Sequence, residues 1–416
     1  MNKKLFIQIR NEWRTNLWLL IELFLVSIVM WFIIDYLYVQ YSVYNEPRGF
    51  DATHCYLIEM EYLTSKSADF NPADTLTTDD VAEIMDRLRH RPEVEAVSLS
   101  QNSYPYNGSN SGCVIQCDSL NSINAHSYIV RRMVTPDFLK VFRYQGTQGE
   151  TSEQLAKMLT ENTFLASDNI FTNRYGVKMT DLVGKSFFLE GDTTKSFKLS
   201  AALKTVRYID YQSAYNSASI VRFLPHSQYR VGAELCVRVK ADKDVDFMSH
   251  LKADSEKQFR IGNVFISNIR SFHDIRRNFQ QYQTNQLRNY LAGMGFLMLN
   301  IFLGLLGTFW FRTQQRRAEI ALHMALGSTT SSVFGRLLAE ALLLLSFATI
   351  LAIIVDYNLA RAELNAWYNG TTLSVGRFII TVLMSWGVIA LMILLGIWFP
   401  ARKAMAVQPA EALHEE

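Results

Sequence analysis

Arg316-Arg317-Ala318-Glu319-Ile320-Ala321-Leu322-His323-Met324-Ala325-Leu326-Gly327 lies between two long hydrophobic runs and is itself amphipathic and basic. Its arginines favour the cytoplasmic face of a membrane, and Ile320, Met324 and Leu326 offer apolar side chains to a pocket on a partner protein. Residues 312–336 are therefore expected to form a cytoplasmic coupling loop, through which a membrane protein takes instruction from a soluble one.

Working outward, hydrophobic segments at 17–37, 290–311, 337–355 and 378–399 are each long enough to cross a bilayer. At about 1.5 Å per helical residue, about 20 residues span the roughly 30 Å hydrocarbon core. Basic residues set the orientation. Lys3, Lys4, Arg10 and Arg14 precede the first span, Arg312, Arg316, Arg317 and Arg336 lie between the second and third, and Arg402 and Lys403 follow the fourth. The short loop 356–377 has Arg361 and Arg377 offset by Asp356 and Glu363. Both termini are thus expected in the cytoplasm, with the tail at 400–416 and an amphipathic interfacial helix at 1–16 carrying Leu5, Phe6, Ile9 and Trp13 on one face. No small-residue cleavage site follows the first span, which reads as a retained signal anchor.

Residues 38–289 are then external, and they are too many and too polar for a loop. The predicted fold class is a membrane protein with four transmembrane α-helices and a large α+β extracytoplasmic domain inserted between helices 1 and 2. His54–Leu63 and Val94–Ser100 read as strands around a helix capped by Thr78, whose Val81, Ile84, Met85 and Leu88 share an apolar face. The Asn-, Ser- and Gly-rich stretch Ser103–Gly112 leads away toward an inserted subdomain at about 103–200. A strand at Val231–Lys240, a helix at Asp244–Arg260 and a strand at Val264–Ile269 return the chain to the first layer. Ile275–Arg288 is a candidate stalk before the second span.

Composition narrows function by exclusion. A net charge of +2 lacks the concentrated basic surface of a nucleic-acid binder. The motor of a transporter needs a Gly-x-x-x-x-Gly-Lys-Ser/Thr phosphate loop; Gly184-Lys185-Ser186 is preceded by Met179 where the loop must open, so ATP hydrolysis is expected on another polypeptide. Histidines and cysteines show no metal-ligand spacing, and no Gly-x-Ser-x-Gly elbow supports hydrolase chemistry, so neither an enzyme nor a metal protein is expected. Cys113 and Cys117 are too far apart along a strand to bridge, whereas Cys55 and Cys236, on strands assigned to one layer, are a candidate disulfide, with buried free thiols as the alternative. Glu22 is the ionisable side chain placed well inside a span, and either snorkels to the cytoplasmic headgroups or serves a subunit interface. Arg336 and Glu340, four apart, are expected to pair.

The Glu319–Gly327 words, followed by the apolar run opening Leu337-Leu338-Ala339-Glu340-Ala341-Leu342, resemble the hallmark loop of FtsX/MacB-type ABC permeases. Further along, Pro400-Ala401-Arg402-Lys403-Ala404 and Gln408-Pro409-Ala410-Glu411-Ala412-Leu413 are similar to that family's closing words. Arg132–Phe142, Phe164–Ser167, Tyr175-Gly176 and Val183–Ser186 follow the order of words in the MacB periplasmic core. Departures fall at Ser346–Thr349, where relatives often carry glycines, and at Leu322-His323, where they often carry a basic residue. The resemblance implies a mechanotransmission (type VII) permease in the bacterial inner membrane. Its implied partners are a cytoplasmic MacB/LolD-like ATPase holding the ATP and Mg, a second permease subunit in a homodimer or related heterodimer, and a periplasmic adaptor with an outer-membrane channel. Export or efflux of antimicrobials, peptides or lipoproteins is the implied task; an FtsX-like scaffold controlling a cell-wall hydrolase is the alternative, ahead of a receptor-type sensor.

Overall fold

The computed structural model describes residues 13–74, 77–108, 111–117, 124–172, 176–213, 218–365 and 373–405. The expected interfacial helix falls mostly outside these residues, as do the closing words beyond Met405. The chain divides into two compact units, one of residues 44–284 and one of residues 1–43 with 285–416.

The first helix, α1, runs Trp13–Tyr44 and contributes its apolar length to the helical unit. After it, β1 (Cys55–Tyr62), α2 (Thr77–Arg89) and β2 (Val94–Gln101) form the expected strand-helix-strand start of the α/β unit. The helix begins at Thr77, so Thr78 lies within its first turn rather than capping it. Then come β3 (Ser111–Cys117), β4 (Asn124–Val134), the short helices α3 (Phe138–Val141) and α4 (Ser152–Met158), and β5 (Thr163–Ser167). The strands β6 (Ser186–Leu189), β7 (Asp192–Leu203) and β8 (Ser219–Phe223) precede β9 (Glu234–Val239), α5 (Phe247–Gln258), β10 (Val264–Ser271) and α6 (Phe272–Phe279).

All ten strands belong to one sheet in the order β10-β1-β9-β2-β4-β3-β6-β7-β5-β8. Its first four strands are antiparallel neighbours, and α2 and α5 cover one face. Val81, Ile84, Met85 and Leu88 of α2 and Phe247 and Leu251 of α5 pack on Ile58, Val97, Leu99, Leu235 and Val237. Each large side chain so buried contributes about 1.5–3 kcal/mol, which is what holds a helix of modest intrinsic propensity in place.

The inserted body is larger than its sequence suggested. Residue 200 falls inside β7, and the body continues to β8, which pairs antiparallel with β5 and parallel with β4. The β4–β8 pairing closes β4-β3-β6-β7-β5-β8 into a barrel. Alternating strand residues fill it: Ile115, Cys117, Ile129, Phe164, Phe187, Phe197, Leu199 and Ile220 form one core. Among the described residues the pairs Ser100↔Val134 and Gln101↔Met133 join β2 to the barrel strand β4.

The candidate Cys55–Cys236 disulfide is not formed; all four cysteines are free and buried. Register explains this. Cys55 faces Arg238 and Cys236 faces Leu57, so the thiols are diagonal rather than opposed. Diagonal Cα atoms are about 7–8 Å apart, beyond the roughly 4.4–6.8 Å of a bridge. The Cys55 thiol donates instead to the Val141 carbonyl at 3.2 Å.

In the helical unit, α7 (Gln281–Gln315), α8 (Arg317–Ala325), α9 (Thr330–Arg361) and α10 (Val375–Met405) join α1. The candidate membrane spans are Asn16–Tyr44, Gln281–Gln315, Thr330–Arg361 and Val375–Trp398, each longer than or offset from the apolar window read in the sequence. The proposed stalk is not one helix: Gln280 separates α6, with Phe272 and Ile275 buried, from α7. The expected loop 356–377 is also shorter, because Asp356 lies in α9 and Arg377 in α10, both buried.

Polar side chains at four-residue spacing run down one face of α1, a spacing that places them one above another. Ser27 meets Thr349 at 3.5 Å, the Trp31 indole donates to Thr381 at 3.0 Å, and Asp35 receives Arg377 at 2.8 and 2.5 Å and Asn365 at 3.0 Å. Arg377 is thus a buried ion-pair partner rather than a free loop charge. Leu19, Leu23, Met30 and Ile34 supply the apolar part of the same packing. At the family departures, Ala348 and Thr349 face this core while Ser346 bonds back to the Leu342 carbonyl at 2.8 Å.

Asp35→Ala strands a buried guanidinium, a loss of about 3–5 kcal/mol for such pairs. We expect a lower thermal unfolding midpoint in detergent for Asp35→Ala, and recovery of much of the loss in Asp35→Ala/Arg377→Met. Equal midpoints for wild type and Asp35→Ala would show that the pair does not support the helical unit.

Candidate coupling site

The turn between α7 and α9 is built by local chemistry. Gly327 takes φ +91, a conformation that glycine adopts without strain, and its amide reaches the Met324 carbonyl at 3.0 Å, ending α8. Two residues later the Thr329 hydroxyl accepts from the Ser332 amide at 3.3 Å and starts α9.

Charges then hold α8 in place. Arg316 donates to Glu319 at 2.7 and 3.1 Å and, with its other amino group, to Glu340 of α9 at 2.7 Å. Arg312 approaches the same Glu340 at 3.6 Å and also donates to Asn16, while Arg336 reaches Glu319 at 3.7 Å. Glu340 is buried, and among the described residues it pairs with Arg316 and Arg312 rather than with the Arg336 that its spacing suggested. Burial opposes the charge on Arg316, but hydrogen bonds and attraction from Glu319 and Glu340 outweigh it and raise that guanidinium above its ordinary range.

The structure divides the sequence-predicted site residues between two faces. Ile320 and Ala321 are buried, and Ile320 packs with Val333, Met324 and Leu337 of the chain itself. The expected role of Ile320 and Met324 in a partner's pocket is therefore corrected: four apart, they share the inward face of α8. Leu322, Ala325, Leu326 and Gly327 are exposed, Leu326 at 75%. Glu319 is half-buried in the ionic network, and the side chain of His323 lies outside the described set.

Glu22, the other residue singled out, accepts from the Thr308 hydroxyl of α7 at 3.0 and 3.2 Å, so it has a partner within its own chain. Sequence reasoning passed over Asp35 and read Asp356 as a loop charge; both are buried in long apolar helices. The signal for Asp35 was the Ser27, Trp31, Asp35 spacing. Among the described residues no group of three or more histidines, cysteines and acids lies close enough to hold a metal ion.

Residues 291–409 match the family described as FtsX-like permease C-terminal, a stretch that contains α8, α9 and most of α7. This part of the chain is therefore similar to the C-terminal part of FtsX-like permeases. Among the described residues four helices are long and apolar enough to cross a membrane, and the matched stretch takes in three of them in whole or in part. Among solved structures the chain is similar to the periplasmic region of MacB from Actinobacillus actinomycetemcomitans, at 11% identity and a TM-score of 0.32, over 57% of this chain and 98% of that one. No curated protein matches the chain.

If the ionic network fixes α8, Glu340→Gln must loosen it by removing the shared counter-charge of Arg316 and Arg312. Hydrogen–deuterium exchange of the 317–325 amides is expected to quicken in Glu340→Gln and to stay unchanged in Leu322→Ser, which alters an exposed position. Unchanged exchange in Glu340→Gln would remove the network's role.

Proposed function

We propose that this permease docks a separate cytoplasmic ATPase on the exposed end of α8 and relays ATP-driven closure of a permease dimer to the α/β unit outside the inner membrane. The observation that carries the reading is the division of α8 into a buried, ion-paired base and an exposed apolar tip of Leu322, Ala325 and Leu326. A lever needs both: contacts that keep it from yielding and a surface that a partner can push. The direction of the chain follows from its basic flanks, with both termini and the α8 turn cytoplasmic and residues 44–284 outside. The exposed apolar residues of α7, Phe296, Leu299 and Leu303 among them, suit lipid or the second permease subunit. Export or efflux of antimicrobials, peptides or lipoproteins, together with an adaptor and outer-membrane channel, is the task we assign to the assembly.

The docking test uses the exposed tip. Leu326→Asp and Leu322→Asp place a charge where an apolar pocket would have to desolvate it, a cost of at least ~1.4 kcal/mol, or about tenfold in affinity. Copurification of the ATPase is expected to fall accordingly while membrane insertion persists. Ile320→Asp is a poor substitute, because it disrupts packing inside the permease. Full ATPase recovery with both tip variants would overturn the docking assignment.

Sidedness has its own test. A cysteine at Asn107 is expected to react with an impermeant reagent once the outer membrane is permeabilised, and a cysteine at Thr329 is not. Background is low because the native cysteines are buried. The reverse pattern would invert the topology.

A further inference from the structure

The α/β unit contains a cavity of about 320 Å³ whose wall includes Arg48, Phe50, His54, Tyr106, Phe272 and Arg276. That volume is at the lower end of small-molecule sites, roughly 300–1,000 Å³. Its floor is a charge cluster. The fully buried Asp210 accepts from Arg48 at 2.9 and 3.4 Å and from Arg276 at 2.8 Å. Two guanidinium ions thus share one carboxylate, and the Nη1 groups of both make no hydrogen bond among the described residues. With Arg207, which donates to the Asp210 carbonyl at 2.7 Å, and the neighbouring Glu46 included, three guanidinium ions meet two carboxylates and one positive charge is in excess.

The remaining wall is prepared for a ligand in two ways. Tyr106 is only 3% exposed and lines the cavity, yet its hydroxyl has no hydrogen-bond partner among the described residues. Burial pushes this phenol up to about 12, so it stays a donor at neutral pH. His54 is oriented from behind: its Nδ1 meets Asp244 at 2.9 Å, and Asp244 also accepts from the Tyr56 hydroxyl at 2.7 Å. Both His54 (φ 55) and Tyr106 (φ 63) hold left-handed backbones that non-glycine residues adopt only at a cost. The acidic side chains of the wall are engaged already, Asp244 as described and Asp51 by Thr53, Arg143 and Arg238.

We propose that this cavity is a recognition site for a small organic monoanion, a carboxylate carried on an aromatic or aliphatic body. The carboxylate meets the spare donors of Arg48 and Arg276 and the Tyr106 hydroxyl, with Phe50 and Phe272 against the apolar body. A single negative charge matches the single uncompensated positive one. A dianion is disfavoured because Asp51 and Asp244 line the same space. The site is independent of ATPase docking, and its test needs neither ATPase nor transport.

Fluorine NMR of the full-length protein in detergent, titrated with para-fluorobenzoate, reads binding directly. Comparison ligands are the neutral para-fluorobenzyl alcohol and the dianionic para-fluorophenyl phosphate. We expect benzoate binding that weakens about tenfold in Arg48→Gln, weakens several-fold in Tyr106→Phe, which breaks no internal hydrogen bond, and weakens in His273→Asp, which adds negative charge at the exposed lip. Val245→Ala, at a position 92% exposed, is expected to bind as wild type. Should Arg48→Gln fail to fold, Tyr106→Phe and His273→Asp carry the result alone. The proposal is overturned by absence of benzoate binding, by equal binding of the alcohol, by tighter binding of the phosphate, or by wild-type affinity in the folded variants.

Discussion

A guanidinium that donates to carboxylates on two helices is the fixed point of the helical unit. Arg316 stands at the break between α7 and α8, and its bonds to Glu319 and Glu340 tie both helices to α9. Once these charges leave water, none can separate from the others without an uncompensated desolvation cost. The turn therefore behaves as one body with the start of α9. The base of α8 is held to α9 by charge as well as by the packing of Ile320 on Val333.

The second ionic clamp, Asp35 with Arg377 and Asn365, does for α1 and α10 what Glu340 does for α7–α9. Between the clamps the contacts are apolar or weakly polar, as at Leu23, Ile389 and Ala348. Ion pairs at such positions resist sliding between helices, whereas apolar contacts tolerate small rotations. The helical unit is thus firm at its clamped points and compliant in its middle.

Much of this was legible in the sequence, and the reasons are particular. The apolar runs declared the four helices because a chain that must satisfy its backbone in lipid has few other options. The strand-helix-strand start of the α/β unit was legible because Val81, Ile84, Met85 and Leu88 obey helical spacing and flanking strands alternate. The barrel was not, because its closure depends on β8, a five-residue strand whose partners β4 and β5 are far away in sequence. In the expected coupling segment the inward and outward faces were confused: Ile320 and Met324 look as apolar as Leu326 until Val333 and Leu337 are placed beside them. Charge partners were the least legible. Spacing nominated Arg336 for Glu340, and only the fold brings Arg316 closer.

The barrel also interrupts the sheet to which it is joined. Tyr56 pairs with Ser271 and Val97 with Val237, so the four-strand layer takes two strands from before the insertion and two from after it. During synthesis β1 and β2 emerge first and have no β9 or β10 to pair with. The barrel strands lie between these two pairs in the chain, and the Leu224 amide meets the Val134 carbonyl at 2.8 Å beside the end of β2. Closure of the barrel brings the two halves of the layer to one place, shortening an otherwise long search through chain space. The four-strand layer therefore cannot complete its pairing until the whole insertion has been made.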